Sequence, residues 1–308
     1  MCGQANASQS QADDRTLRIV SWNIAGDAFV THEEFFLAII RHSRPDVLVL
    51  TEVHPSADAA QLKETLAGID SRDDRPWNVN FGTSGGRQRD VIASRMPIER
   101  TEEFSSIVPY PEKQRQRIST QMTGHNRSWD QFSMAGGIPV NGAIVVADGH
   151  RLLVVATDLQ CCGGEINDWQ EDRRQVEARE IRRLTNQALS KSRADAVIIA
   201  GDLNTVATPS PVLLLLGPYM VPHHGLLAAE IFHLDGESAW TWDGRGTPFQ
   251  SSILDYQLYG PNGLQLHEAY IFDTEDLDAD TLGALGLQAD TSRQISPHRP
   301  LVVDYSWR

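Results

Sequence analysis

The sequence predicts an α/β domain organised around a central sheet system, and three observations predict it. Apolar runs rich in Val, Ile and Leu recur along the chain: "LRIVSWN", "DVLVLTEV", "DVIASR", "GAIVVADG", "RLLVVATDLQ", "AVIIAGDLN", "ILDYQLYG" and "LVVDYSW". Short runs of this kind, bounded by polar residues, read as strands, several of them buried on both faces. Helical periodicity lies between them, which is the pattern of helices packed on sheets. From Thr16 onward the composition stays globular with no long linker and no internal repeat, so 16–308 reads as one domain.

Each element has its own signal. The opening stretch, "CGQANASQSQADD", has no apolar periodicity, and residues 1–15 read as a disordered tail. Cys2 in that tail has two readings: the lipid-anchored end of a tether on an extracytoplasmic protein, or a tail that happens to contain a cysteine. Thr31 and Glu34 have capping-box spacing before Phe35, Phe36 and Ile39, and Pro45 ends that helix. The polar region 100–137 reads as a long loop insertion. From about Trp169 to Leu189, Val176, Ala178, Ile181, Leu184 and Ala188 fall near one stripe of a helix. The acidic stretch Asp273 to Asp280 reads as an insertion or a short helix start.

Composition excludes several classes. Apolar runs such as Val212 to Leu216 are far too short for a transmembrane segment. Three cysteines make no disulfide framework, and Cys161-Cys162 reads as two loop thiols ahead of a vicinal disulfide. A net charge of −14 argues against bulk attraction to nucleic acid. A local basic groove from Arg87, Arg89, Lys113–Arg117 and the arginines of 173–183 stays open beside the reading of ordinary solvated charges.

The polar residues that follow or interrupt the apolar runs carry the chemistry. "LRIVSW" delivers Asn23, "DVLVLT" delivers Glu52, "LLVVAT" delivers Asp158, and "AVIIAG" delivers Asp202 and Asn204. Asp255 stands between apolar residues, and His298 is held between Pro297 and Pro300 before the last run. Singly, each reads as a turn, a cap or an exposed strand end. Together they describe one site, because strand ends in α/β sheets line up along one edge, where ligands bind. Carboxylate and amide oxygens suit Mg²⁺ or Mn²⁺. Asp255 needs a partner if buried, and a histidine N–H is a good one; the pair would orient His298 and favour its protonated form. The set suits phosphoester hydrolysis.

The ordered series "SWNIAG", "LTEV", "GDLNT", "ILDYQLYG" and "SPHRPLVVDY" resembles the endonuclease/exonuclease/phosphatase superfamily over about residues 16–308. The resemblance implies a four-layer α/β/β/α sandwich of two packed mixed sheets flanked by helices, the DNase I-like fold. It implies that Glu52, as main ligand, and Asn23 hold a divalent cation, with Asp202 at the metal site positioning or deprotonating the attacking water. By the same resemblance Asn204 contacts the phosphate, Asp255 pairs with His298, and His298 contacts the scissile phosphate or moves a proton.

Three positions depart from the family pattern. Pro297 stands where an aspartate usually precedes the late histidine, and Asp158 stands where many relatives carry a phosphate-contacting histidine. Ile253-Leu254 replace the arginine often found before the "DY" strand. An aspartate at 158 repels a phosphate unless a metal lies between them, so Asp158 is expected to supply a metal ligand or a group beside one. The expected activity is metal-dependent phosphodiester hydrolysis on a nucleic acid or a phospholipid headgroup. The alternatives are a phosphomonoesterase or phospholipase-like hydrolase, and a binding protein that has lost turnover. Loops 82–90, 100–137, 161–169 and 243–251 would choose the substrate. Trp77, Trp129, Trp240 and Trp242 read as core or loop anchors before cleft residues, His223-His224 as a helix start or surface pair, and Asp304 as part of the last strand.

Overall fold

The computed structural model describes residues 16–54, 56–69, 75–87, 89–123, 134–218 and 225–308. The tail with Cys2, Trp129 and the His223-His224 pair lie outside the described residues. Every predicted apolar run forms a strand: β1 (Leu17–Gly26), β2 (Val47–Val53), β4 (Arg89–Ser94), β6 (Val140–Ala147), β7 (His150–Asp158), β8 (Ala196–Asp202), β11 (Asp255–Tyr259) and β13 (Leu301–Trp307). The structure adds β3 (Asn78–Phe81), β5 (Ile98–Arg100), β9 (Leu227–Ala228), β10 (Phe232–His233) and β12 (Leu264–Ile271).

These make two mixed sheets. One has seven strands in the order β10-β12-β13-β1-β2-β4-β3, the other six in the order β5-β6-β7-β8-β11-β9. The helices are α1 (Ala28–Thr31), α2 (Glu33–Ser43), α3 (Ala59–Ala67), α4 (Glu112–Thr123), α5 (Trp169–Ser192), α6 (Ser210–Leu216), α7 (Ala279–Leu285) and α8 (Thr291–Ile295). Three apolar cores separate the layers. Ile19, Val49, Ile92, Val154, Ile198 and Val303 pack between the two sheets. Trp22, Phe36, Ile40, Leu48 and Leu62 pack the seven-stranded sheet against α2 and α3. Val155, Ile199, Ile181, Leu184 and Leu215 pack the six-stranded sheet against α5 and α6. This is the four-layer α/β/β/α sandwich expected of the sequence. The period of two along each strand decides which side chains meet in the middle.

Two expectations need correction. The stretch 100–137 is not a bare loop: α4 lies within it, and a 3₁₀ turn covers Glu102–Phe104. Among its described side chains helix α4 buries only Ile118 and Met122, one turn apart, so its apolar signal is thin. The Thr31–Glu34 capping box does not form. Thr31 closes α1 and donates its hydroxyl to the Asp27 carbonyl at 3.3 Å, while His32 precedes α2. Glu33 and Glu34 still sit in the first turn of α2, where negative charge favours the helix dipole. Arg44 adopts a left-handed conformation at its end, ahead of Pro45.

The arginines of α5 form no groove as a set. Arg173 and Arg174 are buried and pair inward, with Glu177 at 2.9 Å and Glu171 at 3.0 Å. Asp304 is structural as expected, gripped by Arg18 through two hydrogen bonds of 2.7 and 2.6 Å. Among the described residues no helix is long and apolar enough to cross a membrane.

Candidate active site

Strand pairing brings the predicted polar residues to one edge of the sandwich. In the six-stranded sheet Asp158 lies beside Asp202 across the parallel pair β7–β8, and Asp255 lies beside Asp202 across the antiparallel pair β11–β8. Three carboxylates therefore stand on three adjacent strands, which run about 4.8 Å apart. Parity points them inward: Val154 and Ala156 precede Asp158 on the inter-sheet face, and Ile198 and Ala200 precede Asp202. In the other sheet Asn23 continues the inward face of Ile19.

Local backbone conformation completes the placement. Both β1 and β2 break register at the site, between Asn23 and Gly26 and next to Val53. Glu52 there has φ 57°, and Asn204 has φ 48°. Non-glycine residues rarely hold such values, and each costs about 1–3 kcal/mol unless its surroundings impose it. Gly201, just before Asp202, has φ +137°, and a Cβ there would lie 2.0 Å from the Thr157 carbonyl oxygen. Only glycine lets β7 and β8 approach closely enough at this point to set Asp158 beside Asp202.

The resulting geometry is compact. The Asn23 amide nitrogen donates to Glu52 Oε1 at 3.1 Å and to Asp202 Oδ2 at 3.1 Å, tying the two sheets together. The Asn23 oxygen accepts the Ala25 N–H at 3.0 Å, so this residue presents nitrogen, not oxygen, to the carboxylates. Asp202 Oδ1 accepts the Asn204 N–H at 2.9 Å. The Asn204 amide donates to the Leu159 carbonyl at 2.8 Å and approaches Asp158 Oδ1 at 3.4 Å. One oxygen from each of Glu52, Asp158 and Asp202 lies within 4.8 Å of the others.

His298 completes the edge. Its Nδ1 is 2.8 Å from Asp255 Oδ2, and its Nε2 faces Asp202 Oδ2 at 3.7 Å. The Ser296 hydroxyl accepts the His298 N–H at 3.0 Å and donates to the Asn23 carbonyl at 2.7 Å. Trp22 Nε1 donates to the His298 carbonyl at 3.1 Å. The Thr241 hydroxyl donates to Asp255 Oδ2 at 2.7 Å. Pro297 offers its carbonyl to the Asp243 N–H at 2.7 Å, and the buried Arg299 next to His298 pairs with Asp273 at 2.6 Å. The late histidine is thus fixed from both sides of the chain.

Electrostatics follow from burial and crowding. Two like charges 4.8 Å apart repel by about 3 kcal/mol at an effective dielectric of about 20. Burial and then Glu52, Asp202 and Asp90 push Asp158 well above the usual carboxylate range. Asp202 is pushed up to about 8 by burial and Asp255, against the pull of His298. Burial works against charge on His298, but Asp255 and Asp202 outweigh it and raise the imidazole to about 9.

Every site residue expected from the sequence is at this edge. One further carboxylate, Asp90, is there without having been expected. Of the tryptophans, Trp77 is buried in the core under Arg95, and Trp242 bridges to His298 through the backbone. Cys161 and Cys162 are exposed thiols on the loop after Asp158.

Comparison with known proteins settles the family. Residues 20–298 match the model of the Endonuclease/Exonuclease/phosphatase family. The chain belongs to that family. No curated protein matches it in sequence. Similar solved structures include the human Nocturnin catalytic domain with bound sulfate (17% identity, 95% of each chain covered, TM-score 0.54). Truncated Caenorhabditis elegans TDP2 is similar at 14% identity, over 94% of this chain and 97% of that one, with a TM-score of 0.57. D. rerio TDP2 complexed with a single-strand DNA product is similar at 16% identity, over 95% and 100%, with a TM-score of 0.55. At these identities the likeness confirms the fold.

Membership and the clustered carboxylates make the chain a metal-dependent hydrolase of phosphate esters. The donor set of Glu52, Asp158 and Asp202 fits a hard divalent cation, being all oxygen and acidic, and at the same edge Asp255 Oδ1 is buried without a partner.

Proposed function

We propose that the chain cleaves phosphodiesters by metal-assisted attack of water, with Mg²⁺ or Mn²⁺ as the cation and a nucleic acid or phospholipid headgroup as the substrate class. The observation that carries this reading is the edge itself: oxygens of Glu52, Asp158 and Asp202 within 4.8 Å, beside a histidine held 2.8 Å from Asp255.

Glu52 is the main ligand, with Asp202 and Asp158 beside it and Asn23 ordering Glu52 and Asp202. A bound divalent ion offsets charge on the phosphoryl oxygens and makes water more acidic. Asp202, ionised in a loaded site, would accept the proton of the attacking water. His298, raised to about 9, is cationic at neutral pH and donates to a phosphoryl oxygen or the leaving group. Asn204 turns its amide from Asp158 to the phosphate.

Charge favours a diester over a monoester. The residues that crowd Asp158 and Asp202 are carboxylates, and His298 is the cation among them. A diester brings one negative charge into that field, and a monoester brings close to two. The test is turnover of bis-p-nitrophenyl phosphate against p-nitrophenyl phosphate with Mg²⁺ or Mn²⁺, with Glu52→Gln and His298→Ala as controls. The expected result is ion-dependent diester cleavage, at least 10-fold faster than the monoester and lost in both variants. Faster monoester cleavage overturns the diester reading. Single-strand DNA and phospholipid vesicles as substrates then separate the two classes.

A further inference from the structure

We propose that the cleft holds two divalent cations, the second between Asp90 and Asp158. This rests on the reading of the site as a metal-dependent phosphodiesterase.

Asp90 is the second residue of β4, which runs antiparallel to β2, so the N-terminal end of β4 reaches the same edge as the C-terminal end of β2. The register pairs Leu50 with Val91 and Val53 with Arg89, leaving Asp90 opposite the bulge that carries Thr51 and Glu52. Asp90 shares a face of the strand with Ile92, and Ile92 packs in the core between the sheets. Its carboxylate is therefore aimed into the cleft, and it is 1% exposed.

The Asp90 carbonyl is engaged: it accepts the Gly82 N–H at 2.9 Å and the Asn141 amide at 3.0 Å. The Asp90 side chain is not. Both carboxylate oxygens are buried without any hydrogen-bond partner, and so is the neighbouring Thr51 hydroxyl. A buried polar atom without a partner costs about 1–3 kcal/mol, and more if charged. Two such oxygens on one carboxylate, aimed into a carboxylate-lined cleft, call for a ligand absent from the protein itself.

Charge points to a cation. Glu52, Asp90, Asp158, Asp202 and Asp255 face the cleft, and His298 is the base paired with them. If all five carboxylates are ionised and His298 carries its proton, one divalent cation leaves two formal negative charges uncompensated. Two cations leave none. Asp90 lies opposite the bulge that carries Glu52, and an Asp158 oxygen lies within 4.8 Å of a Glu52 oxygen, which sets the second cation beside the first. Oxygen donors suit Mg²⁺ or Mn²⁺ at both positions.

The simpler alternative is that Asp90 stays protonated and binds nothing. Titrating the full chain with Mn²⁺ decides between them, read by calorimetry for stoichiometry and by electron paramagnetic resonance for spin coupling between neighbouring ions. The expected result is two equivalents with coupled spectra in the wild type. One equivalent with uncoupled spectra is expected in Asp90→Asn and in Asp158→Asn. Two variants on different sheets keep the test sound if one misfolds. A single equivalent in the wild type, with ion-dependent turnover intact, overturns this inference alone. Two equivalents unchanged in both variants also overturns it. No bound ion at all overturns the proposed function with it.

Discussion

Two of the buried charge clusters among the described residues are built differently. On α5, Glu171 and Glu177 are matched by Arg174 and Arg173, and their oxygens also accept from Thr208, Gln175, Tyr110 and the Gln160 N–H. At the cleft, Glu52, Asp90, Asp158, Asp202 and Asp255 share one histidine. Burying an ion pair is tolerable when every lone pair is satisfied, and burying like charges together is not. The helix cluster is complete within the protein. On the proposed function the cleft cluster is completed by a cation, which sets it apart from the helix cluster.

The contrast makes ordered predictions. Glu52→Gln should lower kcat on bis-p-nitrophenyl phosphate by about 10³-fold or more, an effect on the order of 4 kcal/mol, with the fold kept by circular dichroism. Arg173→Met should do the reverse. It strands Glu177 and should cost about 3 kcal/mol in urea unfolding, while kcat of the folded enzyme stays within about 3-fold. If Arg173→Met were harmless to stability and Glu52→Gln unfolded the chain, the contrast would fail.

Asp255→Asn should lower kcat by roughly 30-fold, because His298 loses its orientation and its main charge partner. The alkaline limb of the rate profile, set in the wild type by His298 near 9, should move to lower pH. A limb that stays in place would remove His298 as the group that titrates.

A smaller effect concerns the ion-free chain. Asp202, raised to about 8, and His298, raised to about 9, hold protons in the folded state that the unfolded chain has released above about pH 4 and 6.5. Where the folded state binds more protons, stability falls as pH rises. In EDTA the Tm should therefore drop by a few °C or more between pH 6.5 and 9, and added Mg²⁺ should reduce that drop.

The parts of the fold that show in the sequence are those with unmixed burial. Strands β7 and β8 are apolar on both faces and announce themselves. Strand β12, "LQLHEAYI", is largely open on one side, and its mixed composition gives no run to see. Helix α4 hides for the same reason. The site was legible because parallel strands present their C-terminal ends to one edge, so Glu52, Asp158 and Asp202 follow apolar runs. Asp90 precedes its run, within the charged stretch "RQRD", because β4 points the other way. A carboxylate before a strand signals a site only once the strand's direction is known. The Thr31–Glu34 spacing misled because α1 already occupies Thr31.

The most direct test of the central claim is calorimetric titration of Mn²⁺ at pH 7 in two buffers of different ionisation enthalpy, for the wild type and Glu52→Gln. Metal binding to buried, protonated carboxyls must release protons. The account predicts wild-type binding with release of about one proton or more per chain, weakened at least 10-fold in Glu52→Gln. Absence of binding, or binding that Glu52→Gln leaves unchanged, would contradict it.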